Sequence, residues 1–139
     1  MKIVFIALSI IMSLSSCASY EALPEFRDEY ETSIREYNNL LRSEEFEQAG
    51  RFVVDSLRDE FDVRAKAARN VQVIDYQISS VDSEIQLKGA AIVTVKINYT
   101  IPPSSEVKTL VDSQKWSYVY VKGEGRKRWR LMTLLPEFK

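Results

Sequence analysis

Apolar residues along the chain change their spacing twice. Residues 3–14 form an almost unbroken apolar run, IVFIALSIIMSL. Between residues 23 and 41 the apolar positions recur every three or four residues, which places them on one face of a helix. They are Leu23, Phe26, Tyr30, Ile34, Tyr37 and Leu41. After Asn70 the spacing falls to two, which is typical of strands. The pattern therefore predicts an apolar leader, then helices, and then a sheet.

The helical stretch is predicted to contain two or three helices. Pro24 suits the first turn of the first helix. Ser43 is predicted to cap a second helix, whose apolar stripe is Phe46, Gly50, Val53, Leu57, Phe61 and Ala65. The pair Asp55-Ser56 is a further candidate cap, and it would divide this stretch in two. Gly50 also argues against one unbroken helix.

Four strands are predicted after residue 70, at about 71–81, 85–101, 107–121 and 127–135. The second strand alternates apolar odd positions with mostly polar even ones, so one of its faces is expected to be buried. Loops are predicted at 102–105 and 123–125, which are rich in Pro, Ser and Gly. Helices followed by strands predict an α+β fold. In that fold the helices pack on a curved, mainly antiparallel sheet of about four strands within residues 24–139.

Composition excludes several kinds of function. The 139 residues include one Cys and no His. The chain therefore cannot form a Cys/His zinc site, a His-dependent catalytic pair or an internal disulfide. The net charge of −1 argues against a nucleic-acid partner. We expect neither a cofactor nor a metal.

The amino terminus has the layout of a secretory signal, predicted for residues 1–16. A positive charge at Lys2 precedes the apolar run, and twelve residues are fewer than the roughly 20 that cross a bilayer as a helix. The run ends in Leu14-Ser15-Ser16-Cys17, which resembles the lipobox of bacterial lipoproteins. The resemblance implies cleavage before Cys17, a diacylglyceryl group on its thiol and acylation of the new amino terminus. The alternative is an ordinary cleaved signal followed by a fortuitous Cys.

Lipidation at Cys17 would make the membrane the first partner of this protein. Two or more acyl chains hold a protein stably on a membrane, and residues 17–23 would form a short tether. Ala18 and Ser19 follow the Cys, without the Asp that marks retention at the inner membrane. The resemblance therefore implies the periplasmic face of the outer membrane.

The strand sequences resemble the nuclear-transport-factor-like superfamily, which has a cone-shaped α+β fold. The resemblance covers residues 24–138 and rests on Trp116-Ser117-Tyr118, Trp129-Arg130-Leu131 and Leu135-Pro136-Glu137-Phe138. It implies a conical cavity between sheet and helices, and a possible homodimer through the open face of the sheet. A cystatin-like fold is the alternative. Neither fold implies an activity.

Enzymes on this scaffold use an Asp, His or Tyr in the cavity. Without His, the candidate pocket consists of Tyr30, Tyr37, Asp75, Tyr76, Tyr99 and Asp112. Tyrosines at these spacings are more often core residues whose hydroxyl reaches water. We therefore assign no catalytic residue and do not expect an enzyme.

A candidate interaction patch surrounds the last hairpin. Its aromatic members are Trp116, Tyr118, Tyr120 and Trp129, and its basic members are Lys122, Arg126, Lys127 and Arg128. Residues 21–64 carry 13 acidic and 6 basic side chains, whereas residues 65–139 carry 7 acidic and 12 basic ones. The basic group could meet anionic lipid headgroups or an acidic protein surface. The alternatives are aromatic packing across strands and a hairpin that complements the acidic helices of the same molecule.

These observations favour a lipid-anchored, non-enzymatic envelope protein that serves as a protein-interaction or assembly accessory module for an unknown envelope partner. Two alternatives stay open: a protein that binds a small apolar ligand in the conical cavity, and a cofactor-free enzyme with an Asp/Tyr site. A filled cavity would favour the first function. A concave pocket with a convergent Asp would favour the other two.

Overall fold

A computed structural model describes residues 24–81 and 89–139. The predicted signal, Cys17 with its tether, and the first residues of the predicted second strand lie outside this range. The helices are α1 (Pro24–Arg42), α2 (Phe46–Ala49) and α3 (Arg58–Ala67), and single 3-10 turns at Gly50–Phe52 and Asp55–Leu57 separate the last two. No helix among the described residues is long and apolar enough to cross a membrane.

The strands are β1 (Gln72–Val81), β2 (Ala90–Thr100), β3 (Lys108–Val121) and β4 (Arg126–Leu131). Each pairs antiparallel with the next, in the order β1-β2-β3-β4. The predicted α+β fold, with three helices on a curled sheet of four strands, is confirmed. The two loops predicted at 102–105 and 123–125 also lie between strands.

The predicted division of the second helical stretch is confirmed, but the predicted caps are wrong. The Ser43 amide donates to the Asn39 carbonyl at 2.9 Å, so Ser43 directly follows the last turn of α1 and does not begin a new helix. Neither α2 nor α3 has a side-chain cap. Asp55 instead forms an ion pair with Arg58 at 3.2 Å. A helix cap contributes only about 1 kcal/mol, so the packing of the chain can override it, as it does here.

Strand β2 carries the predicted alternation, because its inward side chains are buried: Ala91, Val93, Val95, Ile97 and Tyr99. Strand β4 ends at Leu131 rather than at residue 135. The chain then leaves the sheet and brings Leu135 into the core. The Tyr99 hydroxyl donates to the Lys139 carbonyl at 3.0 Å, and the Phe138 ring lies edge-on to the Tyr99 ring at 5.0 Å. Residues 132–139 therefore close one side of the core as an irregular segment.

Candidate functional site

A group of polar side chains lies inside the core, between α1 and β3. Asn38 of α1 and Gln114 of β3 are fully buried, and Asp112 of β3 is 7% exposed. Residues two apart on a strand point to the same face, so Asp112 and Gln114 share the inward face of β3 with Trp116. Asp112 is one of the predicted pocket residues, whereas Asn38 and Gln114 were not predicted. Their signal was available, since each is a polar residue at a position where the helical or strand period places the core.

The Gln114 amide is held by four hydrogen bonds. Its Nε2 donates to Asn38 Oδ1 at 2.8 Å and to Asp112 Oδ2 at 2.9 Å. Its Oε1 accepts from Asn38 Nδ2 at 3.2 Å and from Trp116 Nε1 at 3.4 Å. The second Asn38 proton goes to the Ile34 carbonyl at 2.9 Å. Both buried amides are therefore saturated, as buried polar groups require, and the network joins helix to sheet.

Asp112 receives less support than the amides. Among the described residues no Lys or Arg forms an ion pair with it, and burial raises the pKa of its carboxyl to about 6, although the Gln114 hydrogen bond acts in the opposite direction. Tyr37 lies in the same region of the core. Its burial, and then the Asp112 charge, raise the pKa of the Tyr37 phenol well above its ordinary value. The Tyr37 hydroxyl has no hydrogen-bond partner among the described residues.

The other members of the candidate pocket lie elsewhere. Tyr30 packs against Trp129 with ring centroids 4.8 Å apart, and Tyr99 holds the carboxyl-terminal segment. The Tyr76 hydroxyl donates to the Asn39 side chain at 2.9 Å. Asp75 is exposed and accepts from Asn98 Nδ2 at 2.7 Å. Of the six predicted residues, only Tyr37 and Asp112 lie close enough for the charge of one to affect the pKa of the other. The other four lie at separate places in the domain.

Aromatic side chains fill the space beside the polar network. The Tyr37 ring lies edge-on to Trp116, with centroids 5.7 Å apart, and to Phe52 at 6.3 Å. Two surface clefts do not reach the polar network, although Phe52 lines the second of them. One of about 290 Å³ lies between α3 and the last four residues, and another of about 380 Å³ lies between α1 and the β3–β4 hairpin. Neither is lined by Asp112 or Gln114, so Asp112 lies in packed core rather than at a cleft.

The aromatic half of the candidate interaction patch does not form a surface. Trp116 and Trp129 are 1% and 0% exposed, so their prediction as contact residues is wrong. Tyr118 is half-buried, and its ring lies 5.6 Å from that of Trp129 across the hairpin. Tyr120 is 63% exposed. Trp116, Tyr118 and Tyr120 lie on the face of β3 that points toward the helices. The helices cover Trp116 but leave Tyr120, near the end of β3, exposed to solvent.

The basic half divides into paired and unpaired side chains. Glu124 accepts from Arg128 at 2.7 Å and from Arg130 at 3.1 Å, and lies 3.8 Å from Arg126. The hydrogen bond from Arg128 lowers the pKa of the Glu124 carboxyl. Arg128 also bonds Glu29 of α1 at 3.2 Å, so this arginine complements an acidic helix of its own molecule. Within the described part of the chain, Lys122 and Lys127 form no ion pair, and both are exposed.

The described residues contain no group of three or more Cys, His, Asp or Glu side chains that could hold a metal ion. The Arg and Glu side chains beside α1 line the cleft of about 380 Å³ described above, with Arg51, Arg128 and Arg130 facing Glu29, Glu36 and Glu124. Its charges are balanced, so it offers no strong field for an ion.

Comparison with known proteins shows similarity in fold. No family model and no curated protein sequence matches the chain. A solved structure, that of a SEC-C motif containing protein from Psychrobacter arcticus, matches with a TM-score of 0.59 at 12% identity. The match covers 81% of this chain, and the chain spans 64% of the length of that protein. At this identity the likeness concerns the fold. The described residues thus form an α+β domain whose helices pack on a curved antiparallel sheet, compatible with the nuclear-transport-factor-like fold.

Proposed function

We propose that the protein is a lipid-anchored bacterial envelope lipoprotein whose nuclear-transport-factor-like domain is a non-enzymatic interaction or assembly accessory module. The observation that supports this best is the packed interior. Where the fold would open a cavity between helices and sheet, Tyr37, Phe52 and Trp116 are in ring contact and nearly excluded from solvent. With the interior filled, the outer surface of the described residues, including its clefts, is left for function.

The anchor in this proposal is Cys17. The sequence before it combines one positive charge, a short apolar run and the Leu14-Ser15-Ser16-Cys17 motif. Each buried CH₂ of an acyl chain contributes about 0.8 kcal/mol, so several chains make release rare. Ala18 and Ser19 follow Cys17 without the Asp that marks retention at the inner membrane. This favours the periplasmic face of the outer membrane. The outward positions of β2 are mainly polar, among them Thr94, Lys96 and Asn98, but Ile92 of β2 and Val111 of β3 are exposed on the same face. A homodimer through this face would therefore combine polar and apolar contacts.

Replacing Cys17 with Ser should move the protein from the membrane fraction to the soluble fraction, because the variant has no thiol to alkylate. Fractionation and intact mass spectrometry measure this: the native protein should carry the mass of the acyl groups and the variant should not. Ser19→Ala, two residues further on, is the matched control and should keep the lipid. A Cys17→Ser protein that retains lipid mass and membrane association would contradict the anchor.

The interaction module is tested by crosslinking in native membranes followed by purification. A protein partner should be recovered reproducibly with the native chain and lost or reduced with the Cys17→Ser variant, which no longer resides at that membrane. Failure to recover a reproducible partner under these conditions would count against an interaction module while leaving the anchor intact.

A cofactor-free Asp/Tyr site is the second candidate function, because Asp112 and Tyr37 are the predicted pocket residues that the structure brings together. A general base works best when its pKa lies near the working pH, and burial raises the pKa of Asp112 to about 6. A substrate, like a small apolar ligand, would need the packed aromatic rings to move apart. Saturable binding of an apolar probe that Trp116→Phe alters would favour an opening interior over a solid core.

A further inference from the structure

The β3–β4 hairpin and the start of α1 lie at the same end of the domain. Asn38, near the end of α1, bonds Gln114. Two turns earlier, Tyr30 packs on Trp129, which pairs with Tyr118 of β3. Moving from Asn38 toward the start of α1 therefore means moving along β3 toward the hairpin.

An ion pair fixes this arrangement. Arg128 of β4 bonds Glu29 at 3.2 Å, and Glu29 lies five residues from Pro24, a rise of about 7.5 Å along a helix. Seven residue steps separate Cys17 from Pro24. At about 3.5 Å per residue the tether reaches at most roughly 25 Å. A lipid on Cys17 would therefore hold this end of the domain near the membrane surface.

The hairpin presents side chains suited to a membrane surface. Tyr120 is 63% exposed and pairs directly with Lys127 across the strands. Lys122 and Arg126 are exposed beside them. Tyrosine is favoured at the level of lipid headgroups, where its ring is partly buried and its hydroxyl is wet. Lysine and arginine near an anionic surface each contribute attraction that falls off within a Debye length.

We propose that Tyr120, Lys122, Arg126 and Lys127, the hairpin surface, bind anionic lipid headgroups and so orient the anchored domain on its membrane. The inference rests on the proposed anchor at Cys17. Asp28 of α1, which is exposed, lies at the same end and opposes this binding. So does Glu124 in the hairpin, which lies 3.8 Å from Arg126. Arg128 and Arg130 offset Glu124 and Glu29, so Lys122, Arg126 and Lys127 leave these side chains with a net positive charge. The lipid thus supplies attachment, and the hairpin surface supplies orientation.

Lysine labelling in vesicles tests this inference. The full lipidated protein is placed in vesicles of phosphatidylcholine, or of an equal mixture of phosphatidylcholine and phosphatidylglycerol, and acetylation of each lysine is followed by mass spectrometry. Lys122 and Lys127 should react about fivefold more slowly in the anionic vesicles, the factor that corresponds to about 1 kcal/mol per residue. High salt should remove the difference. Lys66 of α3 and Lys96 of β2, both exposed, are internal controls and should not change.

A double variant separates charge from folding. In the native protein, hydrogen exchange at residues 119–125 should be slower in the anionic vesicles than in the neutral ones. K122Q/K127Q should abolish that difference, whereas K66Q/K96Q should keep it. Equal labelling of Lys122 and Lys127 in neutral and anionic vesicles would overturn the inference. So would protection in native membranes without protection in protein-free anionic vesicles, because that result assigns the surface to a protein partner. Failure of the anchor is distinguishable, because the protein then lacks lipid mass and does not enter vesicles.

Discussion

Replacing Asp112 with Asn should stabilise the protein at neutral pH by about 2 kcal/mol and have little effect near pH 3. The folded state raises the pKa of the Asp112 carboxyl from 3.8 to about 6. A shift of one unit corresponds to about 1.4 kcal/mol, so the ionised carboxylate lowers the free energy of unfolding by about 3 kcal/mol when fully charged. Asparagine removes that charge and can still accept the hydrogen bond of Gln114. Its added amide group offsets part of the gain if it finds no partner.

The sign of the pH dependence follows from the raised pKa. Below about pH 3.8 the carboxyl is protonated in both states, and the unfavourable contribution is absent. Between about 3.8 and 6 the unfolded state releases the proton that the folded state retains, so this group lowers stability as pH rises. Above about pH 6 the full effect is present. Urea unfolding of native protein and Asp112→Asn between pH 3 and pH 8 should therefore give curves that separate as pH rises.

Asp75→Asn is the matched control, because Asp75 is a strand carboxylate that is exposed rather than buried. It removes one negative charge without relieving burial, so it should not reproduce the stabilisation that Asp112→Asn gives at neutral pH. If the Asp112→Asn curve did not separate from that of the native protein as pH rises, Asp112 would not be a buried carboxyl that prefers its neutral form. The result also bears on the second candidate function, since a buried charge without an ion-pair partner is costly and is often retained for a functional reason.

The two strand aspartates show where sequence reasoning stops. Alternation from Val73, which is buried, would place Asp75 on the inward face. The pairing of β1 with β2 shifts its register between Val73 and Asp75, and such a bulge turns the following side chains to the other face. Asp75 therefore faces outward. No such shift precedes Asp112 in its pairing with β2, and it keeps its inward position. A bulge depends on tertiary pairing and leaves no clear mark in the sequence.

Helices and strands in which apolar residues recur many times at the same spacing were predictable. Five of the six predicted apolar positions, those from Phe26 to Leu41, lie along α1, which spans Pro24–Arg42. The alternation of β2 predicted its buried face for the residues described. Features that depend on a single side chain were not predictable: Ser43 is a good cap by type, but its amide continues the hydrogen bonding of α1 and its side chain caps no helix. Likewise the aromatic row on β3 predicted one face correctly, but how far the helices cover that row depends on how they pack.

Replacing Trp129 with Ala should lower the free energy of unfolding by about 3–5 kcal/mol. Its side chain is fully buried, and its ring contacts Tyr30 of α1 at 4.8 Å and Tyr118 of β3 at 5.6 Å. The substitution would leave a cavity where helix and hairpin meet. Because small domains are stable by only about 5–15 kcal/mol, the change removes a large fraction of the total. Urea denaturation followed by circular dichroism measures the loss. Trp129→Phe keeps an aromatic ring and should lose less stability, so it replaces the alanine variant in this measurement if that variant does not fold.

Tyr120→Ala is the matched control on the same face of β3. Because Tyr120 is 63% exposed, its replacement should change stability by no more than about 0.5 kcal/mol. Together, the two variants test which aromatic side chains of the hairpin support the core and which are exposed. A large loss at Trp129 and a small one at Tyr120 would show that the row supports the core and ends in a free side chain. Equal losses would contradict that division, and they would mean that Tyr120 is buried and cannot reach a lipid headgroup.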